Sequence, residues 1–209
     1  MSALIIEELQ NDYLSGGAMP VPNAERIIPV INRLMDHFDL VIATKAWHPS
    51  GHVSFASSHP GKSPGEVIEA AGVGQILLPE HCVQHTSGAE LADALDIARV
   101  DYVLYKGMDA RTEAHSSFFD VHLRNPTGLA DYLVDNLVRE VYICGLATEY
   151  AVRHTAVDAC RMDFATYLIQ DACRGIELHS GDIQQALEDI VAAGAVPIDS
   201  SLVLQPLRT

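Results

Sequence analysis

A chain of 209 residues, 48% of them hydrophobic, is long enough for one well-covered core and only marginally long enough for two, so one domain over residues 1–209 is expected. Its formal net charge of −15 argues against nucleic acid and anionic lipid surfaces as partners, which leaves a small molecule or another protein. Glu7 and Glu8 interrupt the apolar start before it could act as a signal-peptide core, and no later run is long enough to span a bilayer, so the expectation is a cytoplasmic protein with no membrane partner.

Taken in chain order, short apolar runs at 4–6, 40–44, 102–105, 141–144, 166–169 and 195–198 lack polar alternation. Such runs suit strands buried on both faces. Between them, residues 24–37, 128–137, 148–162 and 181–193 carry apolar residues at three- and four-residue spacing, the pattern of helices with one buried stripe. The alternation implies a parallel sheet covered by helices, with its cleft at the carboxyl ends of the strands. The stretch 47–87 resists this reading, being rich in Gly, Pro, Ser and His, and its one expected element is a short helix over 65–71. Cys82, Cys144, Cys160 and Cys173 show no CxxC pairing and sit among apolar neighbours, as reduced packing thiols do.

Four segments carry sharper information: 3–13 with Glu8, Gln10 and Asp12; 43–55 with Trp47, His48 and His52; 79–84 with His81 and Cys82; and 141–153 with Gly145, Ala147 and Thr148. In this order and spacing they resemble the nicotinamidase and pyrazinamidase branch of the isochorismatase-type hydrolases, over residues 3–198. The resemblance implies a three-layer α/β fold, a six-stranded parallel sheet flanked by helices. In active members it implies a cysteine, aspartate and lysine triad that cleaves an amide through a thioester.

Carried over residue by residue, the triad falls on Glu8, Lys106 and Ala151. Lys106 matches the family lysine. Glu8 keeps a carboxylate but adds a methylene, and it reads either as an acid–base group or as the partner that neutralises Lys106. Ala151 stands where the motif Gly-x-Ala-Thr-[Asp/Glu]-x-Cys places the nucleophile, and losing a triad nucleophile costs a factor of about 10^6. The family's metal pattern falls on Ala46, His48, His52 and His81; the aspartate ligand is gone, and three imidazoles remain that could hold Zn2+. Of the substrate wall, Tyr13 replaces a phenylalanine and Leu78 a tryptophan. The resemblance also implies a cis peptide between Leu146 and Ala147, with the backbone N–H groups of Ala147 and Ala151 aimed at an oxyanion.

The leading reading is a pseudoenzyme that keeps a cleft for a small ligand of nicotinamide or carboxylate type. A second is a hydrolase in which His48, His52 and His81 hold a metal that activates water, with Glu8 as base. A third is an ordinary nicotinamidase inactivated by an engineered cysteine-to-alanine change. Departures at Glu8, Ala46 and Leu78 as well as Ala151 favour natural divergence. Homo-oligomerisation is carried over from related enzymes as an expectation.

Overall fold

The computed structural model describes residues 1–70, 72–121, 123 and 125–205. Its strands are β1 (Ser2–Glu7), β2 (Leu40–Ala46), β3 (Val67–Ala70), β4 (Val73–Ile76), β5 (Tyr102–Lys106), β6 (Glu140–Leu146), β7 (Ala165–Arg174) and β8 (Val196–Ile198). Six of them form one sheet in the order β5-β2-β1-β6-β7-β8, every neighbouring pair parallel. Each of the six apolar runs of the sequence lies in one of these strands, apart from Ala195, which just precedes β8. The missing alternation has its cause here: all seven residues of β2 and Ala3 to Ile6 of β1 are buried, because helices cover both faces.

The helices are α1 (Ile28–Leu34), α2 (Leu129–Asp135), α3 (Arg153–Arg161), α4 (Asp182–Ala192) and α5 (Ser200–Val203). Short 3-10 turns at Ala24–Ile27 and Met35–His37 extend α1 to the full span of its apolar pattern. One π turn, Thr148–Val152, leads into α3. Right-handed crossovers place the helix between β1 and β2 on one face and those between β6, β7 and β8 on the other, since the chain moves across the sheet in opposite directions. The reversal falls between β1 and β6. A crevice therefore opens at their carboxyl ends, where Glu7, Glu8 and Ala147 lie.

The segment 65–71 departs from its expected helix. Residues 67–70 form β3, paired antiparallel with β4 from Val67↔Ile76 to Ala70↔Val73; Ala71 lies outside the described residues. β-branched residues on both sides of Gly72, whose φ is +86°, favour a hairpin over a short helix.

Gly145 shows how tightly the crevice is built. Its φ is +113°, and a Cβ there would lie 2.2 Å from the Glu7 carbonyl oxygen on the adjoining strand. Gly128 has a similar positive φ of +89° but open space around it. Gly145→Ala should therefore lower stability by about 2 to 4 kcal/mol, and Gly128→Ala by about 1 kcal/mol, in denaturant unfolding. Equal small losses would show that β1 and β6 do not approach this closely.

Candidate active site

The site begins with two consecutive carboxylates. In a regular strand Glu7 and Glu8 would point to opposite faces. Glu8 instead adopts φ +44°, in the left-handed region, and both side chains reach Lys106 at the end of β5. The Lys106 Nζ lies 2.9 Å from Glu7 Oε2 and 2.9 Å from Glu8 Oε1, and it donates a third hydrogen bond, 2.6 Å, to the His115 carbonyl. A lysine ammonium has three N–H donors, so all three have acceptors. Burial alone would lower the Lys106 ammonium, but Glu7 and Glu8 outweigh it and hold it above its usual value. Burial pushes the Glu8 carboxyl up, against the opposing pull of Lys106.

Glu7 is fully buried and also accepts hydrogen bonds from Thr44 Oγ1 at 2.9 Å and Ser117 Oγ at 2.7 Å. Ser117 in turn donates its N–H to Thr155 Oγ1 at 2.9 Å, one turn beyond Ala151. The carboxylate is thus bonded to the start of α3 through two side chains. Ala151 itself is 1% exposed within the π turn, and its methyl group offers neither nucleophile nor proton. The nearest alternative in sequence, Cys144, lies within β6 at 0% exposure, where burial pushes its thiol well above the usual value.

Above this network is a cavity of about 30 Å³, room on the scale of one or two waters. Glu8, Glu113, His48, His81 and His115 give it polar walls; Tyr13, Met19, Leu78 and Ile176 give it apolar ones; Ala46, Ala147 and Tyr150 complete it. Tyr13 and Leu78, the two positions expected to form a substrate wall, both face it. So does Ala147, one of the two expected oxyanion donors, next to a cis peptide between Leu146 and Ala147. Ala151 does not line it.

The sequence motifs hold this cavity open from outside. Gln10 brackets Ala46, donating to its carbonyl at 2.8 Å and accepting its N–H at 2.8 Å. Asp12 accepts the Cys82 N–H at 2.7 Å, tying the segment around His81 to the end of β1. Glu149 accepts the N–H groups of Ile176 and Glu177 at 2.8 and 2.7 Å, which fixes the lip at Ile176.

The histidines gather around Phe55, whose ring centroid lies 5.5 Å from that of His48, 5.6 Å from His52 and 5.6 Å from His81. Their nitrogens, however, do not all converge. His48, His52 and Glu113 each present one ligand atom within 4.8 Å of the others. His48 Nδ1 faces the His81 carbonyl at 3.1 Å, which turns Nε2 toward Glu113 Oε1 at 3.6 Å. His81 directs Nδ1 to the Pro79 carbonyl at 2.8 Å and stands outside that group, and Ala46 brings no donor atom. Burial would raise the Glu113 carboxyl, yet His48, His115 and His52 hold it well below the usual carboxylate range. Burial would lower His48, yet Glu113 raises it; burial takes His81 down to about 4. Two imidazoles and a carboxylate are a donor set that suits a divalent metal, so the residues fit one.

Glu7 and Glu113 were not singled out from the sequence. Glu7 registered there only as a charge ending an apolar run, and Glu113 sits in a polar loop without periodicity.

Set beside known proteins, the isochorismatase domain matches residues 2–201 of this chain. A nicotinamidase of Acinetobacter baylyi is 40% identical over 202 residues, 97% of this chain and 94% of that one. The structure of yeast nicotinamidase bound to the inhibitor nicotinaldehyde superposes with a TM-score of 0.90 at 31% identity, covering 95% of this chain and 100% of the other. A pyrazinamidase of Pyrococcus horikoshii in complex with zinc gives 0.77 at 36% identity, covering 95% and 98%. The chain belongs to the isochorismatase family. Relatives of this chain at 30% identity or more include nicotinamidases and pyrazinamidases.

Removing one partner of a buried ion pair leaves the other charge unmatched, at about 3 to 5 kcal/mol. Lys106→Met should show a loss of that size in denaturant unfolding, and adding Glu7→Gln should recover part of it. Strictly additive effects in this double-mutant cycle would mean that Glu7 and Lys106 are not coupled.

Proposed function

We propose that this protein is a nicotinamidase-family pseudoenzyme, which keeps a cavity for a small ligand of nicotinamide or carboxylate type and has lost cysteine-dependent amide hydrolysis. The observation that carries the proposal is the pairing of a methyl group at the nucleophile position with a lysine whose three donors are already taken. Acyl transfer through a thioester needs a thiol, a base to take its proton and a cation free to stabilise charge. Here the thiol is absent, the candidate base is in an ion pair, and the cation is shared between two carboxylates.

The ligand class rests on family membership and on the mixed lining of the cavity, with Tyr13, Leu78 and Ile176 beside Glu8 and three imidazoles. At about 30 Å³ the cavity accepts an aromatic ring only when lining side chains move outward. Met19 is suited to that, having an unbranched and adaptable side chain. The residues His48, His52 and Glu113 would hold a divalent metal, which when bound supplies Lewis acidity. A hydrolase of different mechanism is the second reading. One observation favours it: Glu8 lines the same cavity as His48 and Glu113, so its carboxylate is placed to take a proton there.

The test is an ammonia-release assay on nicotinamide and pyrazinamide with the protein as it stands and with two variants. The expected result is no turnover above a catalyst-free control for the unaltered chain. Ala151→Cys should remain at least about 100-fold below a working triad, because Glu8 holds its carboxylate a methylene out of place. Glu8→Asp, Ala46→Asp, Leu78→Trp and Ala151→Cys together should recover measurable activity. Turnover by the unaltered protein would favour the second reading, and near-family rates from Ala151→Cys alone would make the other departures neutral.

A further inference from the structure

At about 30 Å³ the cavity is closed to an aromatic ring until one of its walls moves, and the walls differ in how firmly they are held. Glu8 is fixed by Lys106 at 2.9 Å. The rings of His48 and His81 are fixed by the His81 and Pro79 carbonyls at 3.1 and 2.8 Å, and Ile176 by its N–H to Glu149 at 2.8 Å. His115 is held differently. Its carbonyl is fixed by Lys106, but among the described residues its ring makes no hydrogen bond and rests on ring contacts, with centroids 5.7 Å from Tyr150 and 5.3 Å from His154. Ring contacts are a weaker hold than hydrogen bonds to charged groups. Behind that ring lies a groove of about 660 Å³ between α3, the end of α4 and the loop after β5. Among the described residues, His115 alone lines both the cavity and the groove. His154, stacked on it at 26°, is itself anchored: its Nε2 lies 3.0 Å from the Arg153 guanidinium, which donates to Asp189 on α4 at 2.8 Å. The His115 imidazole thus separates a closed volume from an open one and has room on the groove side to turn into.

We infer that the groove is a second compartment of the ligand site, and that His115 divides the two compartments and sets the size of ligand admitted. With its ring turned outward, the cavity and the groove become one continuous space. The lining of the groove decides what kind of substituent it takes. Arg153 and Arg161 are already paired, with Asp189 and Asp158 at 2.8 and 3.0 Å, so an anionic tail would have to compete with a bound carboxylate at either one. Val157, Cys160 and Ala192 offer apolar surface instead. The ligand that fits both compartments is a pyridine carboxamide whose amide nitrogen carries a neutral, partly apolar substituent. Its head group rests on the nicotinamide-type reading of the cavity, whereas the partition by His115 does not.

A thiol placed in the cavity wall by Leu78→Cys tests the partition without any ligand, through its rate of alkylation by N-ethylmaleimide. Mass spectrometry of the separate peptides keeps the native Cys160 of the groove apart from it. Adding His115→Ala, which retains the carbonyl that Lys106 needs, should raise the rate at the introduced thiol several-fold, and adding Val157→Trp, which fills the groove, should lower it. Circular dichroism identifies any variant that does not fold, for which Ala46→Cys, His115→Ser and Ala192→Trp stand in. Calorimetry with nicotinamide and N-benzylnicotinamide then tests the ligand class. Val157→Trp alone should weaken the benzyl amide by about 10-fold or more, on the scale of a lost apolar pocket contact, and leave nicotinamide within about twofold. A thiol whose rate ignores both His115→Ala and the groove variant, or a benzyl amide that fails to bind where nicotinamide binds, would overturn the two-compartment site. So would equal weakening of both amides by Val157→Trp. Labelling as expected with neither amide bound would instead overturn the carboxamide head group, and with it the nicotinamide-type reading of the cavity.

Discussion

Lys106 is buried with an ammonium that cannot be left without partners, and the site is arranged around that fact. Glu7 lies at the end of β1, Glu8 turns through a left-handed residue to reach the same nitrogen, and the His115 carbonyl takes the third donor. The pair Glu7–Ser117 then links the network to Thr155 on α3. An ammonium so enclosed is a structural cation. It joins the ends of β1 and β5 and the loop after β5 and leaves no N–H for a substrate oxygen.

The same arrangement shows why an alanine at position 151 is compatible with the fold. Ala151 is buried in the turn between β6 and α3 and makes no polar contact there through its side chain. Gly145, Gln10, Asp12 and Glu149 position the crevice through backbone contacts that do not involve the side chain at 151. The contacts that hold the crevice are therefore separate from position 151. The fold depends on the first set of contacts, and chemistry would depend on Ala151, Glu8 and the freedom of Lys106.

Much of the architecture was legible in the sequence because full burial writes itself as continuous apolar runs, and those at 4–6 and 40–44 suit interior strands in alternation with helical patterns. The helix at 24–37 was legible from its stripe of Ile27, Ile31 and Leu34, all buried. The hairpin at 67–76 was not, because strands of four residues carry too little periodicity to separate from a helical turn. In the site, Glu8, Lys106 and Ala151 could be named through motif positions, whereas Glu7 and Glu113 match no motif and acquire meaning only from what lies across the crevice. Lys106 is 99 residues from Glu7, a separation over which no local pattern operates. His81 illustrates the converse: motif position grouped it with His48 and His52, but the direction of its ring nitrogens depends on the Pro79 carbonyl and could not be read from spacing.

The positive charge of Lys106 is taken up by Glu7 and Glu8. A thiol introduced as Ala151→Cys reports on it directly, through the pH dependence of its alkylation by iodoacetamide. A thiol beside a free ammonium at a helix start titrates well below its ordinary value near 8.5. If the lysine is neutralised as described, the alkylation midpoint of Cys-substituted protein should lie at or above that value, and adding Glu7→Gln should lower it. A hyper-reactive thiolate at neutral pH in the single variant, unmoved by Glu7→Gln, would mean that the two carboxylates do not neutralise Lys106.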